Sequence, residues 1–322
     1  MPAITNFSTF PAVLMNTYED NAEILVDAVI DGVKTLNNDF NVKKCRNKAP
    51  LLTQDFIDAA QVAQQPFNPQ TAWTVKTRLA SFDSIDIDLT MTYADIKQYY
   101  DSYMGELMMG GKSLAEVRKN PFEAYFLKQI IKRHFAFFRT KTTWKGSRVA
   151  GPIGSQFVAD GLNVKTAIGR AAGGDIPGSQ WLAQAPMTVA NAYAQVSAII
   201  GLVNTNKPEL LSGDLNCYMS QNTYTLYRQN RRALFPNTVG PDDKPTISDD
   251  YSNVNFVIDS GLAGKDTVLV TRKENLCVIT NDSPETFSMN IVPQVKGFDI
   301  NIRYELGMDY ATPNWMFLNN LV

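Results

Sequence analysis

The sequence predicts an α+β fold, and three observations carry that expectation. Two adjacent segments of period two run from Trp73 to Met91. An aromatic helical pattern runs from Pro121 to about Thr143, and five strand patterns follow in quick succession between Val254 and Leu306. A strand turns alternate side chains to opposite faces, whereas a helix repeats its face every third or fourth residue, so the two kinds of element separate by period. With 322 residues, 44% of them hydrophobic, the chain can bury a large core and divide into two lobes.

Residues 1–66 read as an N-terminal arm. Thr17 and Asp20 give a helix start, and Leu25, Val29, Val33 and Leu36 recur at helical spacing, predicting an amphipathic helix from about Tyr18 to Asn37. Lys43, Lys44, Arg46 and Lys48 form a basic, solvated link, or in a sharper reading a phosphate or partner contact. A short helix near Gln54–Ala63, capped by Thr53, is expected next.

In the first period-two arm Trp73, Val75, Thr77 and Leu79 share a face. In the second, Ile85, Ile87, Leu89 and Met91 alternate with Asp86, Asp88 and Thr90, and Ala80-Ser81-Phe82-Asp83-Ser84 supplies the turn. The pattern predicts a long hairpin. A lone two-stranded hairpin is marginal in water and leaves its edges unpaired, and no neighbouring strand pattern is evident locally. The expectation is that it lies on another copy of the same chain.

Tyr93–Met109 carries Ile96, Tyr99, Tyr100, Tyr103 and Leu107 at helical spacing. Gly110-Gly111-Lys112-Ser113 after it resembles the end of a phosphate-binding loop, but the required upstream glycine position holds Glu106 and a helix precedes it instead of a strand. The glycines read as a C-cap, and Ser113 with Glu116 as a capping box. Pro121 then fits the first turn of the long helix, whose Phe122, Phe126, Ile130, His134 and Phe138 form a stripe broadened by Tyr125, Leu127, Ile131 and Phe135. Apolar groups on more than one face predict burial from several sides.

Gly146–Gly178 is rich in glycine and marks a lobe boundary. A helix over Pro186–Asn204 opens the second lobe, and Leu215, Cys217 and Met219 alternate as a buried strand. Ser220 caps a helix bearing Tyr224, Tyr227, Arg228, Arg231 and Arg232. That arginine group suits a solvated or subunit-contact face. Pro236–Asp250 is a long loop, and the final strand pattern, Lys296–Leu306, is the clearest in the chain.

Several functions are disfavoured. Thirty basic against thirty-two acidic residues give a net charge of −2, so no basic face for reading nucleic acid sequence is visible in bulk, although a near-neutral wall suits a shell that merely encloses the polymer. His134 is the single histidine and sits among Ile130, Ile131, Phe135 and Phe137, which argues for packing over catalysis or metal ligation. Cys45, Cys217 and Cys277 lack metal spacing and read as reduced, buried thiols. No signal-peptide pattern and no stretch long and apolar enough to span a bilayer is evident. Catalytic, cofactor and metal residues are therefore expected to be none.

The order of these parts resembles the HK97-like major capsid proteins of tailed bacteriophages over most of the chain. The local signals are the hairpin Trp73–Met91, Asn120-Pro121-Phe122-Glu123 opening the long helix, Tyr218-Met219-Ser220 before a Tyr/Arg helix, and the run Arg303–Asp309 before Thr312-Pro313. The resemblance implies an N-terminal arm over 1–66, an extended loop over 67–92, a peripheral domain over 93–154 and 283–322, and an axial domain over 155–282. It implies a structural subunit, made in the host cytoplasm, that self-assembles into pentamers and hexamers of an icosahedral virion shell around double-stranded DNA. A separate scaffolding protein is implied because the chain lacks the extra N-terminal residues some relatives use, with portal and decoration proteins as further partners. Trp73, Lys76, Arg78, Phe82, Asp83, Arg228, Arg231 and Arg232 are the expected subunit-interface residues. Covalent cross-links are not expected, since the turn Ser81–Ser84 has no lysine. The alternatives are an encapsulin-type nanocompartment shell, or a two-lobed ligand-binding protein or enzyme.

Overall fold

The computed structural model describes residues 11, 12, 14, 40–45, 49–56, 73–109, 122–236, 245, 246, 248, 251–281 and 288–321. The expected N-terminal helix, the Gly110-Gly111 cap with the box after it, Pro121 and most of the Pro236–Asp250 loop lie outside these residues.

In chain order the elements are strands β1 (Asn41–Cys45), β2 (Ala49–Phe56), β3 (Trp73–Ala80) and β4 (Asp83–Thr92), then helices α1 (Tyr93–Met109) and α2 (Phe122–Phe137). A π-turn over Phe138–Thr142 extends α2 to the end predicted for the long helix. Helix α3 (Leu162–Arg170), β5 (Trp181–Leu182), α4 (Ala192–Asn206), β6 (Leu215–Met219), α5 (Gln221–Leu234), β7 (Val254–Ile258) and β8 (Leu269–Thr271) follow. The chain ends with β9 (Leu276–Asn281), β10 (Ser288–Gln294), β11 (Gly297–Tyr310) and β12 (Phe317–Asn319).

The strand pairing corrects the expected hairpin. Strands β3 and β4 are not partners. β3 pairs antiparallel with β2, from Ala49↔Ala80 to Phe56↔Trp73, and β4 pairs antiparallel with β11 along its whole length. The segment beginning at Gln54, expected as a short helix, is the end of strand β2. On β4 the alternation is satisfied within the subunit: Ile85, Ile87, Leu89 and Met91 face Tyr304, Ile302, Ile300 and Phe298 across the ladder. Ile85 is buried and Ile87 packs on the same core, so neither waits for a neighbouring copy. The opposite face is polar, with Asp86 paired to Arg303 and Asp88 accepting from Asn301.

Strand β11 organises the peripheral sheet. β4 lies along one edge; β9 and β10 follow each other along the other, and parallel β1 extends the sheet beyond β9. Phe122, Phe126, Leu127, Ile131, Phe135 and Phe138 of α2 and its π-turn pack in one core with Ile300, Ile302, Tyr304 and Leu306. Burial on this scale stabilises by roughly 1.5–3 kcal/mol per large side chain. The axial lobe is a five-stranded sheet, β5-β12-β8-β6-β7, packed with α4 and α5 around Val196, Ile200, Cys217, Tyr227 and Phe317. Ser220 caps α5 by accepting from the Thr223 N–H at 3.1 Å, as its position before the helix predicts.

The lobes exchange more chain than the expected boundaries allow. β9, placed with the axial domain by sequence, completes the peripheral sheet, and β12, placed with the peripheral domain, completes the axial one. Alternation announces that a strand is half-buried but carries no information about which sheet receives it.

Candidate assembly surface

Among the described residues the β2–β3 pair forms a two-stranded sheet that joins neither lobe's sheet. It is thus the isolated hairpin that the sequence pattern suggested, moved one strand upstream, and residues 57–72 connect its arms. Its root is built by a small apolar cluster. Leu51 of β2 and Ala80 of β3 are buried against Cys277 and Ile279 of β9, with Cys45, Phe82 and Ala311 packed around them.

The chain then turns sharply at Ser81-Phe82 from the hairpin into the peripheral sheet. It does so over Gly307 of β11, where a Cβ would strike the Ser81 carbonyl and come within 2.9 Å of the Phe82 Cα. Only glycine admits that approach, which explains a glycine in the middle of the longest strand.

Charged groups clamp both sides of this corner. Arg78 of β3 donates from Nε to Asp309 Oδ1 at 3.1 Å, pairs through Nη2 with the same oxygen at 2.9 Å, and pairs through Nη1 with Asp175. Its guanidinium lies 4.0 Å from the centre of the Tyr310 ring, and the Tyr310 hydroxyl donates to Asp175 Oδ1 at 2.6 Å. Burial works against the Arg78 charge, but Asp309 and Tyr310 outweigh it and hold the guanidinium above its ordinary pKa. Burial likewise raises the Tyr310 phenol, with Arg78 opposing. Gly169 of α3 lets this cluster close, because a Cβ there would collide with the Tyr310 hydroxyl. On the other side Asp83 pairs with Arg148; burial raises the Asp83 carboxyl and the arginine counteracts it.

A second buried charge joins the long helix to the axial lobe. Asp259, with no exposed side-chain surface, accepts from Arg139 Nη1 and from Trp144 Nε1, each at 2.7 Å, and its Oδ1 accepts from the Gly261 N–H at 2.7 Å. His134, the sole histidine, is packed between α2 and β11 with Nε2 against the Tyr304 hydroxyl; burial lowers its pKa to about 4. Burial drives the Cys217 thiol far above its usual range and pushes Cys277 up to about 11 against the pull of Lys43.

The residues singled out from sequence therefore fall into three places. Trp73 and Lys76 lie on β3, with side chains outside the described residues. Arg78, Phe82 and Asp83 meet at the hairpin root, and the two charges have partners inside their own subunit, which corrects the expectation that they wait for a neighbour. Arg228, Arg231 and Arg232 sit half-buried on α5 in the axial lobe, with Arg228 over the Tyr224 ring at 5.9 Å. Sequence reading missed Arg148, Asp175, Asp309 and Asp259. Asp309 left a signal, an acid in the otherwise apolar run Leu306–Tyr310; the others lie in irregular segments with no period to violate.

Among the described residues no group of three or more His, Cys, Asp or Glu side chains could hold a metal ion, and no helix is long and apolar enough to cross a membrane.

As a sequence, the chain matches no family model and no curated protein. As a structure, it is similar to a chain of the satellite phage P4 procapsid that includes the size determination protein, with a TM-score of 0.57 and 14% identity over 92% of this chain and 98% of that one. It is also similar to the capsid chain of a native GTA particle, with a TM-score of 0.53 and 10% identity over 88% of each. The fold is that of the HK97-like capsid proteins.

Proposed function

We propose that this chain is a shell-forming structural protein, the major capsid subunit of a tailed bacteriophage. Copies close through pentamers and hexamers into an icosahedral shell around double-stranded DNA. The observation that carries the reading is a capsid fold matched along nearly the full length of both chains. The two-stranded hairpin outside both lobes supports it, since open edges and reach serve contact with the next subunit. A near-neutral net charge of −2 fits a wall that encloses DNA without reading its sequence. Assembly in the host bacterial cytoplasm on a separate scaffolding protein, with portal and decoration proteins completing the virion, belongs to the same reading. The chain acts through surfaces and performs no catalysis.

The test is expression of the full chain alone and with its scaffold, followed by light scattering and negative-stain microscopy. Closed symmetric particles holding nucleic acid are expected. Particles that hold a protein cargo instead would assign the chain to a nanocompartment, and a persistent 35.8 kDa monomer at high concentration with scaffold would overturn the proposal.

A further inference from the structure

The hairpin root carries two ion pairs of opposite polarity, and both reach the same stretch of chain. Arg78 and Asp83 stand on either side of the Ser81-Phe82 corner; their partners Asp175 and Arg148 both belong to the glycine-rich segment 146–178 that joins the lobes. Between the pairs, the corner rests on Gly307 with no room for a side chain. A close-packed corner resists sliding along β11, so the motion left to the hairpin is rotation about it. Each ion pair opposes one sense of that rotation.

The two halves are built differently. Asp309 fixes the Arg78 side, with a side chain only 5% exposed, while Asp175 is 39% exposed. On the other side Arg148 is 59% exposed and Asp83 17% exposed. The Arg78 side is an anchor, and the Asp83 side is an exposed, exchangeable latch of the kind that contributes little to global stability.

We propose that these pairs form an orientation clamp: Arg78 and Asp83 are positioning residues that fix the angle at which the β2–β3 hairpin leaves the body. Because the clamp's other half is the segment between the lobes, the hairpin angle is coupled to the disposition of the lobes. The clamp is a property of one subunit. Its consequence, that the hairpin angle sets the curvature of the assembled shell, rests on the proposed function.

The experiment uses the full chain as wild type, Asp83→Arg, Arg148→Asp and the double swap D83R/R148D. Hydrogen exchange is followed in Ala49–Phe56 and Trp73–Ala80 of the soluble subunit, and particle diameter is measured after assembly. Each single reversal should speed hairpin exchange about two- to fivefold, the opening expected from losing one exposed pair, with α2 unchanged and particle diameters broadened. The double swap should return both readings toward wild type, a rescue that general destabilisation does not produce. Equal hairpin exchange in all four proteins, or a double swap no better than the worse single, overturns the clamp. Should Asp83→Arg fail to fold, Arg148→Asp and Arg148→Gln at the exposed position decide the exchange result. Restored exchange without any change in diameter would overturn the link to curvature, and a wild type that builds no particles would overturn the shell reading while the exchange data still judge the clamp.

Discussion

Replacing Asp259 with alanine should be the most damaging single polar substitution at the junction of the lobes. Its carboxylate is wholly buried and serves three donors: Arg139 Nη1, Trp144 Nε1 and the Gly261 N–H, each at 2.7 Å. Removal takes a counter-ion from Arg139 and leaves two neutral N–H groups in a site where water has no room. Breaking a buried ion pair by deleting one partner costs about 3–5 kcal/mol, and each stranded donor costs about 1–3 kcal/mol when counted alone. These terms overlap because the groups share one site, so a total of about 4 kcal/mol is expected. Asp259→Asn should cost less, roughly 2–3 kcal/mol, since one oxygen remains to accept while the new amide turns donors toward donors. With a urea slope of about 3 kcal/mol per molar for a chain of this size, the alanine variant's midpoint should fall by roughly 1.3 M. Tryptophan fluorescence suits the measurement because buried Trp144 is itself one of the donors. A midpoint shift below about 0.3 M, under ~1 kcal/mol on the same slope, would refute the claim that this carboxylate holds the junction.

Further outcomes follow from other parts of the structure. His134 is neutral in the fold because burial lowers its pKa to about 4 from an unfolded value of 6.5, so its contribution is complete above pH 6.5 and is lost as pH falls toward 4. At 1.36 kcal/mol per unit the loss approaches ~3 kcal/mol, and His134→Gln should flatten that part of the stability profile; equal slopes for both proteins between pH 6.5 and 4 would exclude it. Thiol reagents should label half-buried Cys45 first and reach Cys217 and Cys277 only on unfolding, a ranking mass spectrometry reads directly. Shortening residues 57–72 to a two-residue turn should leave the subunit folded by circular dichroism yet stop shell closure; normal particles from that variant would remove the hairpin from the assembly contacts. Boiled, reduced particles should run as one band near 35.8 kDa, because neither 57–72 nor the Ser81–Ser84 corner contains lysine to form an amide cross-link, and a ladder would contradict this.

The long helix was legible because its evidence is local. Phe122, Phe126, Leu127, Ile131 and Phe135 repeat at the period of one element, and all are buried where that period puts them. The cap at Ser220 was legible for the same reason, since cap and recipient lie three residues apart. Strand positions in the last third were mostly right, but their partners were not: the same alternation in Ile85–Met91 serves equally well for a hairpin with Trp73–Leu79 or for the ladder with Phe298–Tyr304 that actually forms.

That ambiguity explains why the hairpin was placed one strand too late. Ala49–Phe56 contains Pro50, Leu51, Leu52, Thr53 and Gln54, with no clean alternation, so it did not announce itself as the second arm. Its partner is chosen by what the root can bury, and Leu51, Ala80, Cys277 and Ile279 come from three distant parts of the chain. Phe298, Ile300, Ile302 and Tyr304 of β11 meanwhile offer β4 an apolar face already backed by α2, a better site than the solvent-exposed flank of a free hairpin. Once β4 is claimed by β11, the two residues Ser81-Phe82 must carry the chain from one sheet to another, and that demand places glycine at 307 and charge at 78, 83, 148 and 175. The charged residues at the root are thus consequences of a pairing decision made more than two hundred residues away along the sequence. Their roles become readable only after the strand order is known.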